Sequence, residues 1–237
     1  MALMALLEYY AKAFFKSKTA IIGYGLGPIS YIFLISIVSK GKMLPIAIIG
    51  GIVTFAIDRG LADIPIELSG MRARSKFYDI FLSLPLSPLS FAIGLSIGMS
   101  LPSLPYLLSL IITLTVIKQL DFLKFSMLIM VIISIWTWSS LTGLYMGLKI
   151  KEPTTAIRLS TITITALTII PPVYYPIETL PKSICMPLLL IPTASATYVI
   201  RSLYTPLPYR NIAVIILALY LLISLILGVR VMKLKEE

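Results

Sequence analysis

The chain contains no histidine. That absence excludes every mechanism that rests on imidazole: a Ser–His nucleophile pair, a His-ligated zinc, a haem held by histidine. There is one cysteine, Cys185, so no disulfide forms within a single chain. Charge is also scarce. Asp, Glu, Lys and Arg make up 13% of the 237 residues, against about 25% in an ordinary soluble domain. A chain this poor in charge lacks the polar surface to cover a water-soluble globule.

What is present is apolar. Hydrophobic residues are 58% of the chain, and lipid is the solvent that accepts such an excess. At about 20 residues per span plus short loops, the length suits five to seven spans. The net charge of +10 would point a soluble protein towards nucleic acid. Here the basic residues stand between apolar runs, which assigns them to membrane topology instead. No composition shift, short-period repeat or low-complexity tract divides residues 1–237, and they read as a single membrane domain.

Seven charge-free runs mark the candidate spans: Thr19–Ser39; Met43–Ile57, continuing towards Leu61; Leu86–Ile117, with Pro102 and Pro105 inside it; Phe125–Leu148; Leu159–Ile177; Ser183–Ile200, broken by Pro187 and Pro192; and Asn211–Val229. Basic residues decide which of them cross. With the N-terminus cytoplasmic, Leu86–Ile117 one kinked span and Ser183–Ile200 not crossing, the cytoplasmic side receives Lys12, Lys16, Lys18, Arg72, Arg74, Lys76, Lys149, Lys151, Arg158, Arg230, Lys233 and Lys235. The outer side receives Lys40, Lys42, Lys118, Lys124, Lys182, Arg201 and Arg210. That bias obeys the positive-inside rule, whereas a crossing hairpin at Leu86–Ile117 removes most of it. The expected fold is therefore all-α and integral to the cell membrane: six spans, both termini cytoplasmic, and an outer re-entrant or interfacial helical pair before the last span.

Ahead of the first span, Leu3, Leu6, Leu7, Tyr10 and Phe14 recur at helical spacing, with Glu8, Lys12 and Lys16 on another face. The pattern predicts an amphipathic helix on the membrane surface or a helical extension of the first span. No small-residue cleavage site follows, so the segment is expected to persist.

Two segments carry recognisable chemistry. After the second span comes a stretch read as a loop from Asp58, and within it Lys76, Phe77, Tyr78, Asp79, Ile80, Phe81, Leu82, Leu84 and Pro85. Phe77, Ile80, Phe81 and Leu84 form an apolar helical stripe, and Pro85 and Pro88 end the helix. Such a helix on the cytoplasmic face offers its apolar edge to a soluble partner or lies in the interface without one. The second segment is Pro171, Pro172, Val173, Tyr174, Tyr175, Pro176, Ile177, Glu178, Thr179, Leu180 and Pro181, with Arg201 downstream. Its prolines end the fifth span, and its tyrosines fit an interfacial aromatic belt.

Taken in order, the Leu84-Pro85-x-Ser87-Pro88 helix end and the Tyr174-Tyr175-Pro176-Ile177-Glu178-x-Leu180-Pro181 segment resemble the coupling region and outer motif of permease subunits of ABC-2 type exporters. The similarity covers most of the chain, including the N-terminal surface helix. Two places depart from the family: Arg72, Arg74 and Lys76 stand where it is acidic and glycine-containing, and Pro171-Pro172 replace its small residues. The resemblance implies a transport subunit without an ATPase site, with ATP and Mg on cytoplasmic ATPase subunits docked at the coupling helix, and a second permease subunit, identical or related.

The chain itself offers no phosphate loop. Gly23-x-Gly25-x-Gly27 lacks the following Gly-Lys-Ser/Thr and lies in an apolar span. Gly23/Gly27, Gly94/Gly98 and Gly143/Gly147 instead have the spacing of close helix packing, within the chain or between subunits. Asp58, Arg59 and Asp63 are expected at the cytoplasmic boundary, since each charge at mid-membrane costs about 2.5–3.5 kcal/mol. They lack the later aspartates of a lipid head-group transferase, and Ser69-Gly70 lacks the histidine base of a serine protease. A membrane-embedded lipid-modifying enzyme and a non-transport assembly protein are the alternatives to an exporter subunit. No metal site and no cofactor in this chain is expected.

Overall fold

A computed structural model describes residues 2–16, 18–73 and 88–233. Their order is α1 (Ala2–Lys16), α2 (Lys18–Val38), α3 (Leu44–Asp58), a π-helical turn (Arg59–Asp63), α4 (Ile64–Ala73), α5 (Pro88–Ser100), a 3-10 turn (Leu101–Ser103), α6 (Leu104–Lys118), α7 (Phe122–Lys149), α8 (Pro153–Thr168), a 3-10 turn (Ile177–Thr179), α9 (Lys182–Leu189), α10 (Pro192–Arg201) and α11 (Arg210–Lys233). No strand occurs among the described residues.

Three continuous helices are long and apolar enough to cross a membrane: Leu44–Ala73 with 30 residues, Ser90–Lys118 with 29 and Phe122–Lys149 with 28. At about 1.5 Å per residue each exceeds a hydrocarbon core of about 30 Å. A fourth is reached if the pair Ser183–Leu189 and Pro192–Arg201, bent by 103°, counts as one span. Gly25–Val38 and Arg210–Ile226 are shorter apolar stretches. The fold is an all-α bundle compatible with a multi-pass membrane protein. Its outward surface agrees: Phe33, Ile112, Met130 and Ile162 are each more than 60% exposed, a cost in water that lipid removes.

Three boundaries differ from the sequence reading. The stretch read as a loop after the second span is helical to Ala73. Pro65 has no N–H to bond the carbonyl four residues back, and the chain answers with a wider turn in which Ile64 N–H bonds Arg59 O. The helix continues instead of stopping. The fifth run, expected to Ile177, is helical only to Thr168, and the chain to Pro176 is irregular. The bent pair breaks at Leu190–Ile191, while Pro187 stays inside α9. By contrast Pro102 and Pro105 tighten the helix into a single 3-10 turn without ending it.

Two tight turns gather one end of the bundle. Between α2 and α3, Gly41 takes φ +79°, a conformation that a side chain strains. Between α6 and α7, Gln119 N–H bonds Val116 O and Leu120 N–H bonds Thr115 O, closing α6 as a Schellman motif. Asp121 then caps α7 by accepting Lys124 N–H at 2.9 Å. That bond, with the Lys124 ammonium beside it, holds the Asp121 carboxyl below the usual carboxylate range.

α7 is the central post. At the π turn its backbone meets that of the 44–73 helix: a methyl group on Gly143 would overlap the Gly60 carbonyl oxygen, and one on Gly60 would lie 2.5 Å from Ser140 N. Gly147 lies against Pro65 and Leu68. An apolar core of α3, α6, α7, α10 and α11 fills the end with the tight turns, and Tyr10, Ile64, Leu68, Met71, Ala92, Leu95 and Leu144 fill the other. Gly143→Ala is therefore expected to destabilise the purified protein by about 1–3 kcal/mol, the range for forced overpacking. Gly70→Ala, with open space around the new methyl, should leave the thermal midpoint unchanged or raise it.

Candidate functional site

The 44–73 helix carries polar groups at three heights. At its end with the tight turns, Gly50 and Thr54 receive Tyr174. The hydroxyls of Tyr174 and Thr54 bond at 2.9 Å, the Tyr174 ring lies where a Gly50 side chain would be, and it stacks on Tyr31 at 5.1 Å between centroids. Tyr174 is buried, at 6% exposure, along with Pro171, Pro172 and Val173. It is thus turned into the bundle and away from the aromatic belt suggested by its sequence context. Tyr175 is half-buried and donates to Ile170 O at 3.2 Å. Because α8 stops early, Pro171–Pro176 are free of helical constraint and can place Tyr174 inward.

The rest of the outer motif lies across α9 and α10. Glu178 accepts from Arg201 at 2.9 Å, which joins residues 23 positions apart. Leu180 packs on the core, and Pro181 precedes α9. Cys185 Sγ lies beneath, 3.3 Å from Ile177 O. Every residue of α10 is buried. Tyr220 O–H donates to Leu190 O at 2.9 Å, so the α9–α10 bend reaches ten residues along α11.

At mid-helix stands the ion cluster. The Arg59 guanidinium pairs with Asp58 and Asp63, and Arg59 is 5% exposed. It lies near the midpoint of the 30-residue helix, with α7, α8 and α5 packed around the π turn. The cluster is thus enclosed by the bundle. The guanidinium is tolerated there because two carboxylates of its own helix pair with it, so its charge is not buried alone. Arg158, in contrast, is exposed on α8.

At the other end, Tyr10 O–H donates to Glu67 at 3.2 Å, and its ring fills the space beside Gly98. The α1 helix is thereby pinned into the bundle at Tyr10, while Glu8 and Lys12 pair on the exposed face. Arg72 donates to Leu148 O at 2.7 Å and Gly147 O at 3.3 Å, placing a cation on the carbonyl end of α7. This bond anchors the 44–73 helix just before Ala73. Lys76, Phe77, Tyr78, Asp79, Ile80, Phe81, Leu82, Leu84 and Pro85 lie outside the described residues.

The glycine pairs separate into two kinds. Gly143, Gly147 and Gly98 make close contacts within the chain, and Gly94 is buried. Gly23 and Gly27 have nothing within 4 Å of a would-be Cβ. Sequence reasoning missed Tyr31, Gly50, Thr54 and Gly60, which have no linear spacing to Tyr174 or Gly143. The Gly50-Gly51 pair inside an apolar run was the available signal for the first contact. Among the described residues no group of three or more His, Cys, Asp or Glu is placed to hold a metal.

No protein-family model and no curated protein matches the chain. The class that fold and site define is an all-α membrane-compatible bundle with a buried guanidinium paired to two carboxylates on its most buried long helix.

Arg59→Gln is expected to cost about 3–5 kcal/mol, because it strands two facing carboxylates. Neutralising all three positions together (Asp58→Asn, Arg59→Gln, Asp63→Asn) should recover most of that loss in thermal unfolding. Tyr174→Phe, which deletes one hydrogen bond and keeps the ring, should cost about 0.5–1.5 kcal/mol; Tyr174→Ala should cost about 3–5 kcal/mol by the same measurement.

Proposed function

We propose that the chain is the permease subunit of an ATP-driven exporter in the cell membrane, with six crossings and both termini cytoplasmic. The observation that carries this reading is one continuous helix: Leu44–Ala73 holds Tyr174 of the outer motif at Gly50 and Thr54 and ends where the coupling segment begins. The two segments that carry the family resemblance are thus joined by a single rod, clamped to α7 by Arg72 and by the Gly60–Gly143 approach. The Glu178–Arg201 pair, which ties two motif residues across α9 and α10, supports the same reading.

In this mechanism two cytoplasmic ATPase subunits dock on Lys76–Leu84. Their closure on ATP pushes the coupling helix. A helix stiffened by backbone contact transmits the displacement to the outer motif, and the bundle rocks between inward-open and outward-open states. A second permease subunit flanks the pathway, and the open face at Gly23 and Gly27 leaves room for a neighbouring helix.

Affinity purification from cells that express the chain with its genomic neighbours should recover a phosphate-loop ATPase. A chain that never associates with one removes the reading. Phe81→Asp should abolish stimulation of ATP hydrolysis by transport while leaving the thermal midpoint unchanged; unaltered transport counts against docking at that helix. Cysteines engineered between Lys76 and Leu84 in a Cys185→Ser background should resist impermeant reagents in intact cells. Labelling from outside inverts the topology and sinks the proposal.

A further inference from the structure

A cavity of about 240 Å³ lies between α3, the α5–α6 break and α7. Phe55 and Ala56 form one wall, Ser100 and Ser103 another, and Ile132 and Trp136 the third. Its origin is local. Pro102 and Pro105 draw the chain through a 3-10 turn, and the serines beside them are too small to fill the space this leaves.

The polar atoms of the lining are already spent. Ser100 Oγ donates to Ser96 O at 2.7 Å, Ser103 Oγ to Ser100 O at 2.9 Å, and Trp136 Nε1 donates to Ser100 Oγ at 2.8 Å. No charged side chain lines the cavity. A space of this size and character stays dry and takes apolar ligands.

Its position selects the ligand. Ala56, Ser103 and Trp136 each lie near the midpoint of one of the three longest apolar helices, which puts the cavity at mid-height of the helices that are long enough to cross a hydrocarbon core. Its mouth is at Leu104 and Ile133, which are 37% and 55% exposed. They continue into the outward apolar surface at Leu108 and Met130. At that depth and on that surface the bilayer presents chain ends and no headgroups. We propose that this cavity binds the distal part of a bilayer acyl chain, which enters sideways between α6 and α7. The proposal does not depend on the transport reading, and its test uses no ATPase.

The chain has two tryptophans, and Trp138→Phe leaves Trp136 as the sole reporter. The purified variant is reconstituted in phosphatidylcholine vesicles brominated either near the chain ends or near the glycerol, with unbrominated vesicles as reference. Chain-end bromine is expected to quench Trp136 emission roughly twofold or more, and bromine near the glycerol much less. Ala56→Leu, or Ile97→Phe should the first fail to fold, fills the cavity and is expected to restore most of the emission. Equal quenching in the filled variants assigns the contact to the outer surface and overturns the proposal. Absence of quenching in the parent also overturns it, whether the space is vacant or filled by a side chain of a second copy.

Discussion

Two helices in this bundle touch through their backbones, and that contact governs much else. Gly60 faces Ser139 and Ser140 across the crossing, and Gly143 faces the Gly60 carbonyl. Any side chain at either position separates the 44–73 helix from α7. The π turn puts the Gly60 carbonyl at the crossing, and Pro65 explains why the turn is there. With the helices this close, Ser139 Oγ bonds Ala56 O at 3.2 Å, and Arg72 reaches the last carbonyls of α7. Between apolar surfaces in lipid there is no hydrophobic drive to associate, so close packing and polar contacts have to hold the pair.

The ion cluster is tolerable for a local reason. A lone buried guanidinium would be costly, and Arg59 faces Asp58 and Asp63 of its own helix. The cluster and the apolar cavity occupy adjoining turns of one helix, Ala56 lining the cavity and Arg59 facing its partners. As the rod that links Tyr174 to Ala73, that helix also has the properties a lever needs: continuity, few exposed groups along α3, and anchors near both ends.

The long apolar runs at Leu86–Ile117 and Phe125–Leu148 are legible from composition, because a buried or lipid-facing helix is apolar all round. The bent pair at Ser183–Ile200 is legible from its prolines, although the bend falls at Leu190. Asp58–Glu67 is where reading along the chain fails. Three carboxylates, an arginine, a glycine and a proline within ten residues look like a loop, and only partners on the same helix and on α7 make them a helix. Tyr174 fails in the same way, since a tyrosine next to prolines fits a membrane interface equally well until Gly50 opens a place for it inside.

The amino-acid sequence by itself determined that water cannot be this protein's only solvent, that its elements are helices, and that it performs no imidazole chemistry. These follow from composition and from short-range periodicity, which a linear string contains in full. Which glycines pack and which stay open, where the charges are buried, which tyrosine turns inward and where a cavity remains were decided by tertiary structure. Each of those depends on the distance between residues far apart in the chain, such as the 120 positions between Thr54 and Tyr174, and helix propensity has no information about that distance.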